Sequence, residues 1–274
     1  MDFLTHERNQ NAQNRDAEPV GQLDPQSLVA QSVGVLVGSP LLIAGKLPWS
    51  FAGVISRMKT ALDRIDAHFA ALRTWAKERK PVPFIDEGHD FVVGPPMEEA
   101  ELQRIEQAYG VTLPPEYRSF LARFGDTPIG PGLFRRVNEG LTATSTNRFP
   151  LAEPLLGTLS PKHQQLSKEL QWKDYRRLLA QWETIAKEDG VLAISDYGCA
   201  IFGVLILNGP YCGKVWILHG DTAYYGPFGG SEPLHDESWP PDWTPTEQPC
   251  DYTFLEWYES WLNPRLKMAG LLSG

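Results

Sequence analysis

Three apolar runs in the second half of the chain constrain its fold more than any other feature. They are VLAIS at residues 191–195, CAIFGVLIL at 199–207 and KVWILH at 214–219. The turn-forming sequences DYG and NGPYCG separate them. Short β-branched runs between Gly-, Pro- and Asn-containing turns are typical of an antiparallel meander. The sequence therefore predicts three consecutive strands, with turns at residues 196–198 and 208–213.

A long helix is predicted before this region, from Phe51 to about Lys80. Its apolar residues recur at steps of three and four and form one stripe: Ile55, Met58, Leu62, Ile65, Phe69, Leu72 and Trp75. Pro81 and Pro83 end it, because proline removes a helical hydrogen bond. The stripe covers only about three heptads, which favours a core face over a coiled-coil seam.

The stretch GVTLPPEYRSFLARFGD, residues 110–126, predicts a helix with both ends specified. Proline is tolerated in a first helical turn, and Glu116 suits the positive end of the helix dipole. Gly125 can adopt the left-handed conformation that ends helices. The apolar residues fall at i, i+3, i+4 and i+7 on one face: Tyr117, Phe120, Leu121 and Phe124. This pattern predicts packing rather than chemistry.

Three further helices are predicted from capping and periodicity. A short helix begins near Glu98, buries Leu102, Ile105 and Tyr109, and is capped by Gly110. Another spans residues 161–188. The last begins at the capping box TFLE, residues 253–256, and carries an aromatic face.

The residues before Phe51 do not share these patterns. Residues 1–26 are polar and without apolar periodicity, so we expect them to be disordered. Residues 25–45 carry no charge and are long enough to span a bilayer. Gly, Ser, Gln and Pro interrupt them and no basic region precedes them, which favours a pair of short packed segments. Membrane association through residues 28–45 stays open as the alternative.

Charge is strongly segregated along the chain. Its net charge is −9, which argues against a nucleic-acid backbone as the main partner. The segment between Lys214 and Arg265 has no lysine or arginine, and outside it acids and bases are equal in number. The nine acids of this base-free segment (residues 215–264) are Asp221, Glu232, Asp236, Glu237, Asp242, Glu247, Asp251, Glu256 and Glu259. Such asymmetry marks either a surface for a basic partner or a solvated acidic face.

Aromatic residues in the same segment add a second indication of binding. Tyr224, Tyr225, Trp239 and Trp243 lie among Gly, Pro and Asp, which predicts a loop with exposed interface anchors. The alternative for each is ordinary packing. The candidate partner-binding residues are therefore Asp221, Tyr224, Tyr225, Glu232, Asp236, Glu237, Trp239, Asp242 and Trp243.

An enzymatic function has little support. The chain lacks G-x-S-x-G, P-loop, G-x-G-x-x-G and H-E-x-x-H motifs. Cys199 lies near Asp196 and His219, but its apolar neighbourhood favours a small buried residue. The sequences HGD at 219–221 and HDE at 235–237 fit solvated surface better than metal ligands. We predict no catalytic residue, metal or cofactor.

The remaining motifs and the cysteines indicate neither a nucleic-acid partner nor an oxidising compartment. Trp172 and Trp182 beside Arg176 and Arg177 lack the wider basic field of a nucleic-acid platform. The three cysteines show no C-x-x-C spacing, which favours a reducing, cytoplasmic setting.

Taken together, these residues resemble the SUKH superfamily, the fold of fungal cell-wall assembly regulators and many bacterial immunity proteins. Four blocks carry the resemblance, over about residues 60–263. They are the E..L..IE...G..LP..Y..FL..FGD block, GPGLF at 130–134, the strand region and TFLEWYESWL at 253–262. The matching structural positions include Gly110, Leu113, Pro114, Tyr117, Phe120, Leu121, Gly198, Cys199, Gly213, Trp216 and Trp257.

The resemblance implies an α+β fold, a mixed and largely antiparallel sheet flanked by helices, with an N-terminal helical and apolar extension. It divides the chain into a polar start (1–26), the apolar extension (27–57), the SUKH-like domain (58–264) and a tail (265–274). It also implies a non-enzymatic immunity protein that binds a cognate toxin, and the acidic segment would suit a basic toxin. The alternative is a regulatory scaffold that recruits cellular partners, with membrane contact through residues 28–45. Oligomeric state does not follow from the sequence.

Overall fold

The structure is a computed structural model, and it describes residues 51–78, 91–127, 129–227 and 251–272. The polar start and most of the apolar extension lie outside these residues. All described residues belong to one unit that begins at Pro48. Within them no helix is both long and apolar enough to cross a membrane.

The described residues form seven α-helices and six strands. The helices are α1 (Phe51–Glu78), α2 (Glu99–Tyr109), α3 (Pro115–Phe124), α4 (Val137–Gly140), α5 (Pro161–Gln164), α6 (Lys168–Thr184) and α7 (Phe254–Met268), with a 3₁₀ turn at Gly157–Leu159. The strands are β1 (Leu133–Phe134), β2 (Leu155–Leu156), β3 (Val191–Gly198), β4 (Ile201–Ile206), β5 (Val215–His219) and β6 (Tyr224–Pro227).

The strands form one sheet in the order β1-β3-β4-β5-β6-β2, and every described pair is antiparallel. The predicted meander and the α+β class are therefore confirmed. One predicted turn is wrong, because β3 continues through Gly198 and the hairpin turns at Cys199 and Ala200. Both edge strands have only two residues, which leaves little edge for pairing with another chain.

One face of the sheet packs against α1, α2, α3 and α7. The sheet contributes Leu205, Val215 and Ile217 to this core, and the helices contribute mainly aromatic rings. The ring of Phe120 lies 5.2 Å from that of Phe254 and 4.7 Å from that of Tyr258. Aromatic pairs at these separations add to the stabilisation that burial provides.

The opposite face packs against α6 and the segment around Phe149. Trp216 and Tyr225 point into this second core, together with Leu178 and Trp182 of α6. Trp216 lies between two residues that point to the helical face, because side chains alternate along a strand. Both faces of β5 are therefore buried, which explains its continuous apolar sequence.

The predicted stripe of α1 is confirmed over its C-terminal part only. Leu62 and every stripe residue beyond it are buried, whereas Ile55 is 51% exposed. Ion pairs with α7 and α3 anchor the helix. Arg64 contacts Glu259 of α7 at 2.8 Å, and Arg123 of α3 contacts Asp63 at 2.6 Å. These contacts lie beyond the first turns of α1, which leaves Ile55 outside the core.

The predicted helix caps are largely confirmed. Gly110 ends α2 in the left-handed conformation, and Thr253 and Glu256 form the capping box of α7. Gly125 ends α3 with a φ of 71° but an extended ψ of −173°, so it is not left-handed α. The single helix predicted over residues 161–188 is instead two helices, α5 and α6, and Ser167 is the N-cap of the second.

Gly125 and Gly110 differ in what a side chain would meet, which predicts different costs of substitution. A Cβ on Gly125 would lie 2.1 Å from the Pro95 carbonyl oxygen, whereas one on Gly110 would lie 3.2 Å from a Thr146 methyl group. Gly110→Ala should therefore lower the free energy of unfolding by about 1 kcal/mol. Gly125→Ala should lower it by about 3 kcal/mol. Urea denaturation measures the free energy of unfolding of both variants. Equal decreases would contradict the close approach of Gly125 to Pro95.

Candidate protein-interaction surface

The base-free segment contributes β5, β6 and the first turns of α7 to the fold, and residues 228–250 lie outside the described structure. The chain leaves the sheet at Pro227, which pairs with Trp216. It returns at residues 251–253, where Tyr252 O accepts a hydrogen bond from Val215 N and Thr253 bridges to Lys214. The described residues on both sides of 228–250 therefore lie at the Lys214 end of β5.

Tyr224 and Tyr225 do not lie in an exposed loop, so that expectation is wrong. They form the start of β6 and are 4% and 0% exposed. The Tyr224 hydroxyl donates to Pro227 O at 2.7 Å, and the Tyr225 hydroxyl donates to Lys187 O at 3.1 Å. Burial raises the pKa of Tyr225 far above its ordinary value. Strands on both sides and cores on both faces remove these tyrosines from solvent.

Three of the four described acids in the base-free segment bind partners within the chain. Asp251 pairs with Lys214 at 3.1 Å, and Glu259 pairs with Arg64 at 2.8 Å. Glu256 accepts a hydrogen bond from Thr253 N at 2.9 Å. Asp221 is exposed in the turn between β5 and β6. The other candidates lie outside the described residues: Glu232, Asp236, Glu237, Trp239, Asp242 and Trp243.

Asp221 is separated from the anchors of residues 228–250. It follows His219, whereas those anchors lie beside Lys214 and Val215. The length of β5 places about 13 Å between the two ends. Asp221 therefore lies at the other end of β5 from the described residues that flank 228–250.

The family motif residues build the scaffold. All of the large apolar ones are at most 2% exposed: Leu113, Tyr117, Phe120, Leu121, Trp216 and Trp257. Pro114 precedes the first residue of α3. Gly110 and Gly213 both have positive φ angles, 64° and 83°. These positions serve packing and chain reversal.

Cys199 is exposed, contrary to the expectation that it is a buried small residue. It forms the tip of the β3–β4 hairpin with Ala200, and their φ angles are 48° and 58°. A two-residue hairpin turn with both φ angles positive normally uses Asn-Gly, because a Cβ disfavours this conformation. The next strand starts at Ile201, so the apolar run begins after the turn and Cys199 stays outside it.

The strain at this turn gives a stability prediction. Replacing Cys199 and Ala200 by Asn and Gly should raise the free energy of unfolding by about 1–2 kcal/mol, since the turn conformation becomes favourable. Thermal or urea denaturation of the double variant against the parent chain measures the change. Cys199→Ser serves as a control that removes the thiol without relieving the backbone. A double variant no more stable than this control would contradict the prediction.

The residues considered for catalysis differ in exposure and in their partners. His219 is buried, whereas Cys199 is exposed. Asp196 is bound to Arg135 at 3.0 Å and accepts a hydrogen bond from Gly198 N at 2.9 Å. Within the described ranges, no three His, Cys, Asp or Glu residues are grouped so that they could hold a metal ion. The HDE sequence at 235–237 lies outside those ranges.

Burial lowers the pKa of His219, because the charged imidazolium loses solvation there. Its Nδ1 atom is buried and makes no hydrogen bond within the described structure. The unfolded state, with a histidine pKa of about 6.5, binds a proton more readily than the folded state. The contribution of His219 to the free energy of unfolding is therefore constant above the unfolded pKa. It falls as the pH drops below that pKa, because the unfolded state then binds a proton that the folded state does not.

Stability should therefore fall as the pH is lowered from about 7 to about 5. His219→Phe removes the titrating group while keeping an aromatic ring beside Ile201 and Tyr224, so its unfolding free energy should fall less over the same interval. Urea denaturation across this pH series measures both slopes. Identical slopes would show that His219 does not contribute.

Leu133 and Trp172 are exposed apolar residues that were not among the predicted partner-binding residues. Leu133 on edge strand β1 is 75% exposed, and the nearby guanidinium of Arg135 lies 5.6 Å from the centre of the Phe202 ring. Trp172 on α6 is 59% exposed. Leu133 belongs to an apolar motif that gives no sign of exposure. Trp172 lies about 100° from Leu178 and Trp182 on a helical projection, but only the structure shows which apolar residues of α6 face the core.

Comparison with known proteins gives one match. The sequence model of the SMI1/KNR4 family (SUKH-1) matches residues 96–236, just over half of the chain. The match begins before α2 and includes the whole β3–β6 meander. No curated protein sequence and no solved structure matches the chain.

Proposed function

Because the chain belongs to the SMI1/KNR4 family (SUKH-1), we propose that it is a cytoplasmic immunity protein that binds and neutralises a bacterial toxin. This family comprises non-catalytic immunity and regulatory proteins, which bind partner proteins. Inhibition would then occur by direct contact, with the bound chain covering the working surface of the toxin.

The observation that carries this proposal is that the structural motif residues and the excess of acidic residues are largely separate sets. The matched motif residues pack the core or reverse the chain, so their role is structural. The charge of the protein is concentrated elsewhere, in the base-free segment. A scaffold with a segregated charge suits a protein that works by binding.

The acidic segment at residues 228–250 is the proposed contact with the toxin. Of the nine acids of the base-free segment, Glu232, Asp236, Glu237, Asp242 and Glu247 fall within it, with no lysine or arginine between them. Both of its ends join the described sheet beside β5. A toxin that acts on nucleic acid carries basic groups for phosphate binding, and acidic groups on an inhibitor both occupy them and accelerate association.

Charge reversal tests this proposal. The toxin probe is the product of the gene adjacent to this one, co-expressed and purified with the full chain. The variant Asp236→Lys/Glu237→Lys/Asp242→Lys should weaken binding by about tenfold or more and abolish protection of cells, because carboxylates that face basic groups are replaced by like charges. Isothermal titration calorimetry and growth of toxin-expressing cells provide the two readouts. Binding of the parent chain should also weaken at high salt.

A matched control separates a local effect from net charge. Glu78, Glu153 and Glu183 are exposed, lie outside the base-free segment, and form no ion pair within the described structure. Converting these three to lysine changes the net charge equally and should leave binding nearly unchanged. Equal weakening by both triple variants, or a salt-insensitive complex, would contradict an acidic contact surface. A parent chain that fails to bind or protect would overturn the immunity function and favour the regulatory alternative.

A further inference from the structure

The flank of α6 carries an aromatic and basic stripe. Lys168, Trp172 and Arg176 lie at i, i+4 and i+8, so their side chains follow one another along one side of the helix. All three are exposed. Leu178 and Trp182, about 100° around the helix from Trp172, already attach α6 to the second core. The stripe is therefore not needed to attach the helix to the sheet.

Trp172 is held in position before any partner arrives. Its ring stacks on Tyr175 with 5.7 Å between ring centres and 29° between planes. The Arg176 guanidinium lies 5.9 Å from the Trp172 ring centre on the same stripe. A fixed aromatic ring loses little conformational entropy on binding, which is why such rings serve as anchors at interfaces.

Contacts with neighbouring elements fix the position of α6, which carries this stripe. Asp174 contacts His163 of α5 at 2.9 Å and Arg177 at 2.7 Å. Trp182 packs edge-on against Tyr225 of β6, with 6.4 Å between ring centres. Both the start and the end of α6 are thus tied to neighbouring elements, and the stripe between them is presented to solvent in a defined geometry.

The charge of this surface is opposite to that of the protein as a whole. Within the described part of the chain, Lys168 and Arg176 form no ion pair. The neighbouring acid Glu169 is already bound to Lys173 at 3.1 Å. Two uncompensated cations therefore flank an exposed tryptophan, on a chain whose net charge is −9. These two cations favour contact with carboxylates, although the net charge of the whole chain is negative.

We propose that this stripe is a second protein-binding surface, which takes an acidic segment of a partner protein with an aromatic or aliphatic side chain between its carboxylates. The apolar side chain would cover the Trp172 ring, and the carboxylates would reach Lys168 and Arg176. Two cations are too few to hold a nucleic-acid backbone, which requires several phosphate contacts. The proposal does not depend on the identity or existence of a toxin.

A nuclear magnetic resonance titration of the full isotope-labelled chain tests this proposal. The probe is the peptide Gly-Glu-Glu-Phe-Glu-Glu-Gly, and its lysine analogue Gly-Lys-Lys-Phe-Lys-Lys-Gly is the charge control. The acidic peptide should shift the Trp172 indole N–H signal, identified by its loss in Trp172→Phe, together with the amides of residues 168–177. The lysine analogue should shift neither. Trp172→Ala should weaken binding of the acidic peptide by about tenfold, as expected for a central interface anchor.

Matched charge reversals distinguish the stripe from general electrostatics. Lys168→Glu/Arg176→Glu should abolish the shifts, whereas Lys59→Glu/Lys77→Glu, at exposed positions on α1, should preserve them. Equal loss in both double variants would overturn the proposal. So would saturating peptide that leaves Trp172 unshifted or acts at other residues. A short thymidine strand that shifts Trp172 more strongly than the acidic peptide would assign the stripe to nucleic acid instead.

Discussion

The contact between α3 and α7 is the interaction on which the rest of the structure depends. Phe120 of α3 packs against both Phe254 and Tyr258 of α7. The Glu116 carboxylate accepts a hydrogen bond from Leu255 N at 3.0 Å, so α3 satisfies a backbone donor in the first turn of α7. These residues are more than a hundred positions apart in the chain. Their contact closes the helical layer over the sheet.

This closure determines which parts of the protein are free to bind. The helical layer covers one face of the sheet, and α6 covers much of the other, so the strands offer few exposed side chains. Arg64 and Lys214 bind Glu259 and Asp251, so these acids of the base-free segment stabilise the fold. Among the described acids of the base-free segment, Asp221 is left exposed and without an ion pair. On the opposite side of the sheet from α7, the stripe of α6 carries the reverse charge.

Local sequence patterns predicted the elements well where one physical requirement dominates. Helix α3 follows from a proline that lacks the N–H, an apolar i, i+3, i+4, i+7 face and a terminal glycine, all of which act within ten or so residues. The meander follows from turn-forming residues between β-branched runs. The hairpin tip at Cys199 and Ala200 was missed because neither residue favours a positive φ. Strand pairing imposes that conformation, and sequence propensity does not reveal it.

The sequence by itself determined the fold class, the helix caps and the concentration of acids between Lys214 and Arg265. Composition and spacing are properties of the chain, and they need no knowledge of distant contacts. Only the tertiary structure decided which of these residues meet solvent. Tyr224 and Tyr225 resemble loop aromatics in sequence, yet strands β5 and β2 enclose them. Trp172 is the reverse case. It lies on an ordinary amphipathic helix, and the position of α6 on the sheet leaves it exposed, because burial depends on neighbours that local sequence does not specify.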